Sequence, residues 1–324
     1  MRLQPRTLLI LILALTLPML HADAASVAGI RLYLAPDGDD AAAGTAPSSA
    51  LRSLAAAQHR LIEQAPPGTV DVVIAAGTYV GQSVQWTFVN RAPIRFIAAP
   101  GAATPPVFDG QGAGTWFALR GGRNAETRLS FEGLTVRNYW MALYLGSSNA
   151  DEDGNAGNTV RHMRFERIGG LYGHSSEAAY GFAAIRLQHS RDNRIEHNRF
   201  ASIENDKTTS GFVHALYLAR QSSGNRVQGN TFIDISGDAV RTRDASDDTY
   251  VGENRFLRAG KYAAFSDWIK PGRECPSQGG RFIGNTVGTG YYGPIAATRT
   301  TGADTVCGPL QRPRIQERGT LAPD

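Results

Sequence analysis

Lysine is almost missing from this sequence. Lys207, Lys261 and Lys270 are the only three among 33 basic residues, which leaves 30 arginines. The skew has two readings: a biased genome, or a surface that meets carboxylates or sulfates, which a planar guanidinium fork grips in a way an ammonium cannot. Strong net charge is missing too. A formal +4 over 324 residues is too diffuse to argue for a nucleic-acid partner. With 36 glycines and 19% charged residues, the composition is neither collagen-like nor that of a disordered acidic tail. Cysteine is scarce, and Cys275 and Cys307 are the only pair. Long apolar runs are absent with one exception. TLLILILALTLPML spans 14 residues, short of the roughly 20 that a membrane-spanning helix needs.

That run follows MRLQPR, with two positive charges, and precedes Ala22-Asp23-Ala24, a small-x-small cleavage site. The three parts read as a secretory signal peptide over residues 1–24; a retained anchor is the alternative. No second apolar span follows, so the mature chain is expected to be periplasmic or extracellular, with no membrane contact. An oxidising compartment favours a Cys275–Cys307 disulfide over two buried thiols.

The informative feature is repetition. MALYL from Met141, AAIRL from Ala183, HALYL from His214, DAVRT from Asp238 and AAFSD from Ala263 share one shape. The second residue is always alanine (Ala142, Ala184, Ala215, Ala239, Ala264), and the third is always apolar. A second phrase precedes each later copy, with an asparagine column (Asn198, Asn230, Asn254, Asn285) and a phenylalanine column (Phe165, Phe200, Phe232, Phe256). Period-two alternation with Gly and Asn between short runs excludes a helical repeat. Repeats at this spacing predict a solenoid of parallel strands, in which equivalent residues stack about 4.8 Å apart.

In this the chain resembles the right-handed parallel β-helix, pectate-lyase-like family of secreted polysaccharide-active proteins. LYLAPDGDDAAAGTAPSSALRSLAAA is similar to the opening segment of such proteins, and VVIAAGTY and RFIAAPGAATPPVFDGQG to their first coils. The resemblance implies an all-β, single-stranded solenoid with a short capping helix at about residues 51–64. The expected organisation is an opening segment and cap over 25–66, a β-helix over 67–307, and a disordered tail over 308–324, whose QRPRIQERGTLAPD shows no periodicity.

Spacing between successive alanines is uneven: 42, 31, 24 and 25 residues. The surplus falls just before the alanine strand, as GGLYGHSSEAAYGF in one coil and ENDKTTSGFV in the next. Insertions of this kind map to one face of a solenoid and commonly form its binding face. With the third and fifth residues of each phrase inward, the fourth and sixth point out. They include Tyr144, Arg186, Tyr217, Arg241, Arg243 and Trp268. Aromatic faces stack on pyranose rings, and arginine pairs with uronate carboxylates. Tyr144, Arg186, Arg243 and Trp268 are therefore candidate substrate-binding residues.

His214 and Asp238 occupy equivalent positions one coil apart. A carboxylate beside a histidine raises its pKa and fixes its tautomer, as a general base requires; a structural corner pair is the other reading. β-Elimination from a uronate needs a cation on the carboxylate, a base for the C5 proton and an acid for the leaving O4. Arg241 or Arg243 suits the first role, His214 or Lys207 the second and Tyr217 the third. The expected partner is an acidic polysaccharide bound by a monomer. A glycosidase with paired carboxylates among Asp238, Asp244 and Asp267 is the rival enzyme, and a noncatalytic carbohydrate-binding protein is the rival from another class. Calcium is a candidate cofactor near Asn149, Asp151 and Asp153, although the twelfth position of that loop is Val160, not Glu.

Overall fold

A computed structural model describes residues 29–302 and 306–323. The leader reading over residues 1–24 lies outside the described residues. Every named strand pairing among them is parallel. One sheet runs in strict chain order through ten strands, from Ile30–Leu34 and Val70–Ile74 to Gly280–Ile283 and Ile315–Arg318. A second, larger sheet carries the two repeated phrases. Thr135–Gly146 spans both; later coils split them, as in Arg199–Ile203 followed by His214–Ala219. Ala125–Glu126, Asn155–Ala156 and Ser190–Arg191 form a short third sheet. The chain is a parallel β-helix.

Register explains the columns. Leu143 pairs with Ile185, Ile185 with Leu216, Leu216 with Val240 and Val240 with Phe265. The five alanines one residue earlier therefore stand in single file, and each is fully buried. Strict alternation would turn the second residue of the phrase outward. Instead the second and third both enter the core, and the small alanine side chain stacks there with its equivalents in the neighbouring coils.

The phenylalanine file stacks at 5.0, 5.0 and 4.8 Å between ring centroids from Phe165 to Phe256, the spacing that the sheet itself imposes. Asn198, Asn230, Asn254 and Asn285 form a buried ladder. Each amide donates to the next Oδ1 at 3.0 to 3.1 Å, and each of those oxygens also accepts a backbone N–H. Each rung is worth about 1 kcal/mol net, but leaving one unmade costs about 1–3. A second ladder of Asn158, Asn193 and Asn225 turns another corner.

The N-terminal end is closed by α1, Leu54–Gln64. Ser53 caps it by accepting the Ala56 N–H, Leu54, Ala57 and Leu61 enter the core, and it stops at Ala65 with φ 42°. Two expected boundaries need correction. The coil stack begins at Ile30, before residue 67, because Ile30–Leu34 is already its first strand. It also continues past residue 307. Ile315–Arg318 pairs with Gly280–Ile283, so the tail is the last rung and not a disordered segment. Arg314 fastens it. Its guanidinium donates to the carboxylate of the fully buried Asp267 at 2.7 Å and to the carbonyls of Asp267, Thr301 and Gly302. Cys275 and Cys307 are joined, with Cα atoms 5.7 Å apart. No helix among the described residues is long and apolar enough to cross a membrane.

Candidate active site

The two insertions stand beside the alanine strands as a wall. Asn205 binds them together. Its buried side-chain amide donates to the carbonyls of Gly181 and Thr209, and its Oδ1 accepts the N–H groups of Gly170 and Gly181. Tyr180 and Phe182 from one insertion and Phe212 from the other pack edge to face or tilted, 4.9 to 5.4 Å apart. Gly237 allows the close approach behind them, since a Cβ there would lie 2.0 Å from the Val213 carbonyl oxygen. Between wall and sheet is a cavity of about 450 Å³, within the usual range for a small-ligand site.

His214, Tyr217, Asp238 and Arg241 line this cavity together. The His214 Nδ1 lies 2.7 Å from the backbone oxygen of Asp238. A carbonyl can only accept, so Nδ1 carries the hydrogen and Nε2 of the neutral ring is the free base. No described residue bonds to Nε2. The ring stacks on Tyr217 with centroids 5.4 Å apart.

The Asp238 carboxylate does not reach His214. Its Oδ1 accepts the Tyr262 and Ala263 N–H groups at 2.8 and 3.1 Å, and its Oδ2 accepts Arg241 Nη2 at 2.7 Å. The expected rise in the histidine pKa is therefore corrected to a fall. Burial and then the Arg241 charge push His214 down to about 3, opposed only in part by Asp238. Burial works to raise the pKa of Asp238, but Arg241, the Tyr262 amide and His214 together hold it below the ordinary value. Arg241 also donates from Nε to Ser266 Oγ at 3.1 Å. Its Nη1 makes no hydrogen bond to a described residue.

Arg243 donates from Nη1 to Tyr217 Oη at 2.9 Å, pairs with Glu274 through two nitrogens, and lies 4.3 Å over the Trp268 ring. Tyr217 Oη is thus an acceptor towards Arg243, and its own hydrogen is free to be donated. Arg243 and Trp268 both line the cavity.

Other sequence candidates lie elsewhere. Lys207 is on the second insertion but exposed, outside the cavity lining. Tyr144 is no stacking platform: it is buried, with the Arg120 and Arg186 guanidiniums 4.3 and 4.7 Å from its ring centroid, and its hydroxyl donates to Gln188. Arg186, paired with Glu177, lines a neighbouring cavity beyond Phe182 and Tyr217. Asp267 is a core residue committed to Arg314 and Thr242, and Asp244 faces the neighbouring cavity, so the three aspartates proposed for a glycosidase do not share one site. Near Asn149, the Asp153 carboxylate accepts from the Gly121 amide and the Ser147 hydroxyl, with Arg120 close by. These groups do not fit a calcium ion, and no cluster of three acidic, histidine or cysteine residues suited to a metal occurs among the described residues.

Sequence reasoning missed Lys261, Tyr262 and Arg299, which close the far side of the cavity. Lys261 donates to Ser210 Oγ at 3.1 Å, and the Arg299 guanidinium lies 4.7 Å over the Tyr262 ring. Among the described residues neither cation has a carboxylate partner. One signal was available: Lys261 is one of three lysines in the chain and sits just before an alanine strand.

No family model matches the chain, and no curated protein matches it. Solved structures do. It is similar to the pectate lyase Pel9A, with a TM-score of 0.53 at 14% identity over 91% of this chain and 80% of that one. A rhamnogalacturonan lyase gives 0.53 at 14% identity over 80% and 74%. An alginate lyase from Paenibacillus sp. str. FPU-7 gives 0.57 at 14% identity over 91% and 95%. At that identity the likeness is one of fold, the parallel β-helix.

Proposed function

We propose that the cavity binds an acidic, uronate-containing polysaccharide and cleaves it by β-elimination. The observation that carries this reading is a neutral histidine with a free Nε2 in a cavity lined by four cations and one carboxylate, that carboxylate being already paired with Arg241. The three solved structures of similar fold named above, all polysaccharide lyases, support the same reading.

In the step, Arg241 uses its free Nη1, with the other cations, to neutralise the uronate carboxylate and acidify C5. His214 Nε2 removes the C5 proton. The C5–H electron pair becomes the C4=C5 double bond, the C4–O4 bond breaks, and O4 leaves with the proton of Tyr217. Arg243, bonded to the phenolic oxygen, supports the charge left there. The depressed pKa of His214 keeps it unprotonated before substrate arrives. An incoming carboxylate then offsets the Arg241 field and strengthens the base when it is needed. Asp238 positions the imidazole through its backbone oxygen and Arg241 through its carboxylate.

We further place the mature protein outside the cytoplasm. The apolar leader and the Cys275–Cys307 bridge both favour that compartment. The test is a panel of polygalacturonate, alginate and chondroitin-type polymers. Elimination gives the ultraviolet absorbance of an unsaturated uronate; reducing ends without it mean hydrolysis, and binding without either signal means a noncatalytic groove.

A further inference from the structure

Beyond Phe182, Tyr217 and Arg243, which form a shared wall, lies a second cavity of about 430 Å³. Its charges are uneven. Arg220, Lys270 and Arg273 line it, and their side chains make no hydrogen bond or ion pair with any described residue. Arg186 adds a fourth cation, nearly buried, whose Nε is sealed from solvent without a partner. Two carboxylates are present. Glu274 is neutralised by Arg243, and the Asp244 side chain makes no hydrogen bond or ion pair with any described residue. Three unpaired cations therefore face one unpaired carboxylate. The far wall is the segment carrying Lys270, Arg273 and Glu274, pinned through Cys275 to Cys307.

Unpaired cations converging on a concavity are a charge surplus that a protein rarely keeps without use, because each repels the others. We propose that this second cavity is an anion-recognising subsite for a further uronate of the same chain, on the Arg243 side of the residue held over His214. The inference rests on the reading of the His214 cavity as an acidic-polysaccharide site. It narrows the substrate to a chain with a second carboxylate within reach of the first. Phe182, Tyr217 and Arg243 divide the two subsites, so one sugar chain crosses that wall.

The test uses His214→Asn protein, so that nothing is cleaved, and calorimetric titration with size-defined oligogalacturonates and oligomannuronates from the disaccharide upward. The expected result is a gain in affinity at the length that first reaches the second cavity. Arg220→Ala/Arg273→Ala should remove that gain, roughly tenfold, and leave the shortest ligand unchanged. Both residues are exposed and unbonded, so an unaltered thermal melt is expected as the folding control. An undiminished gain in the double variant overturns the subsite and leaves the His214 cavity standing. Equal weakening at every length also overturns it, since that is the mark of a diffuse field. No binding of any oligomer by either protein overturns both readings.

Discussion

His214→Asn offers a test that needs no substrate. An asparagine amide can still donate to the Asp238 carbonyl, but it does not titrate. In the folded protein burial and Arg241 hold the histidine pKa at about 3, below its ordinary 6.5. As pH falls below 6.5, the unfolded chain takes up a proton that the folded chain refuses, so this residue's contribution to stability drains away with acid and is fully present above 6.5. Each pH unit in that window removes up to about 1.4 kcal/mol. Between about pH 7 and about pH 4 the wild type should therefore lose about 3 kcal/mol more than the variant. Asp238, held below its ordinary pKa, stays ionised over most of that range in both proteins and cancels in the comparison. Urea unfolding at the two pH values, with the disulfide intact, gives the numbers. Parallel losses in the two proteins would mean that the folded-state imidazole protonates in this range, and the case for a free, neutral base would fall.

Arg241→Lys should lower kcat/KM by about tenfold to a hundredfold on a cleaved polymer, because an ammonium cannot hold Asp238, Ser266 and a carboxylate at once; unchanged kinetics would remove Arg241 from the site. Asn205→Ala leaves the Gly170 and Gly181 N–H groups and the Gly181 carbonyl of the wall without their side-chain partner, while the Thr209 carbonyl keeps the Phe212 N–H. It should cost about 1–3 kcal/mol and speed hydrogen exchange in residues 169–182 and 204–213, while exchange in the phenylalanine file stays slow. Lys207→Ala should leave KM and kcat near normal, and Lys261→Ala should raise KM severalfold; the reverse pattern would restore Lys207 as the base.

The solenoid was legible because parallel stacking converts one structural constraint into a repeated letter. Alanine recurs in one fully buried file, phenylalanine where rings stack, and asparagine where an amide bridges to the next coil. The tail was not legible. A terminal strand has neighbours on one side only and needs no repeated letter, and what fastens Ile315–Arg318 beyond its strand pairing is distant in sequence: Arg314 with Asp267 across 47 residues, and Arg312 with Asp248 across 64. At the site, column position placed His214, Tyr217 and Arg241 on one face. It did not reveal that the Asp238 carboxylate turns to two backbone amides and Arg241, since side-chain direction at a corner is set by which N–H groups lie in reach. Arg299 escaped because it lies past the last copy of the repeated phrase, and Lys261 because it precedes its alanine strand outside the phrase's columns.

The role of His214 as the base is tested most directly by the rate at which His214→Ala forms unsaturated uronate from an acidic polymer that the wild type cleaves. The predicted result is a loss of about 100-fold or more with an unchanged far-ultraviolet circular dichroism spectrum. Near-normal formation of the unsaturated product by a folded His214→Ala protein would contradict it.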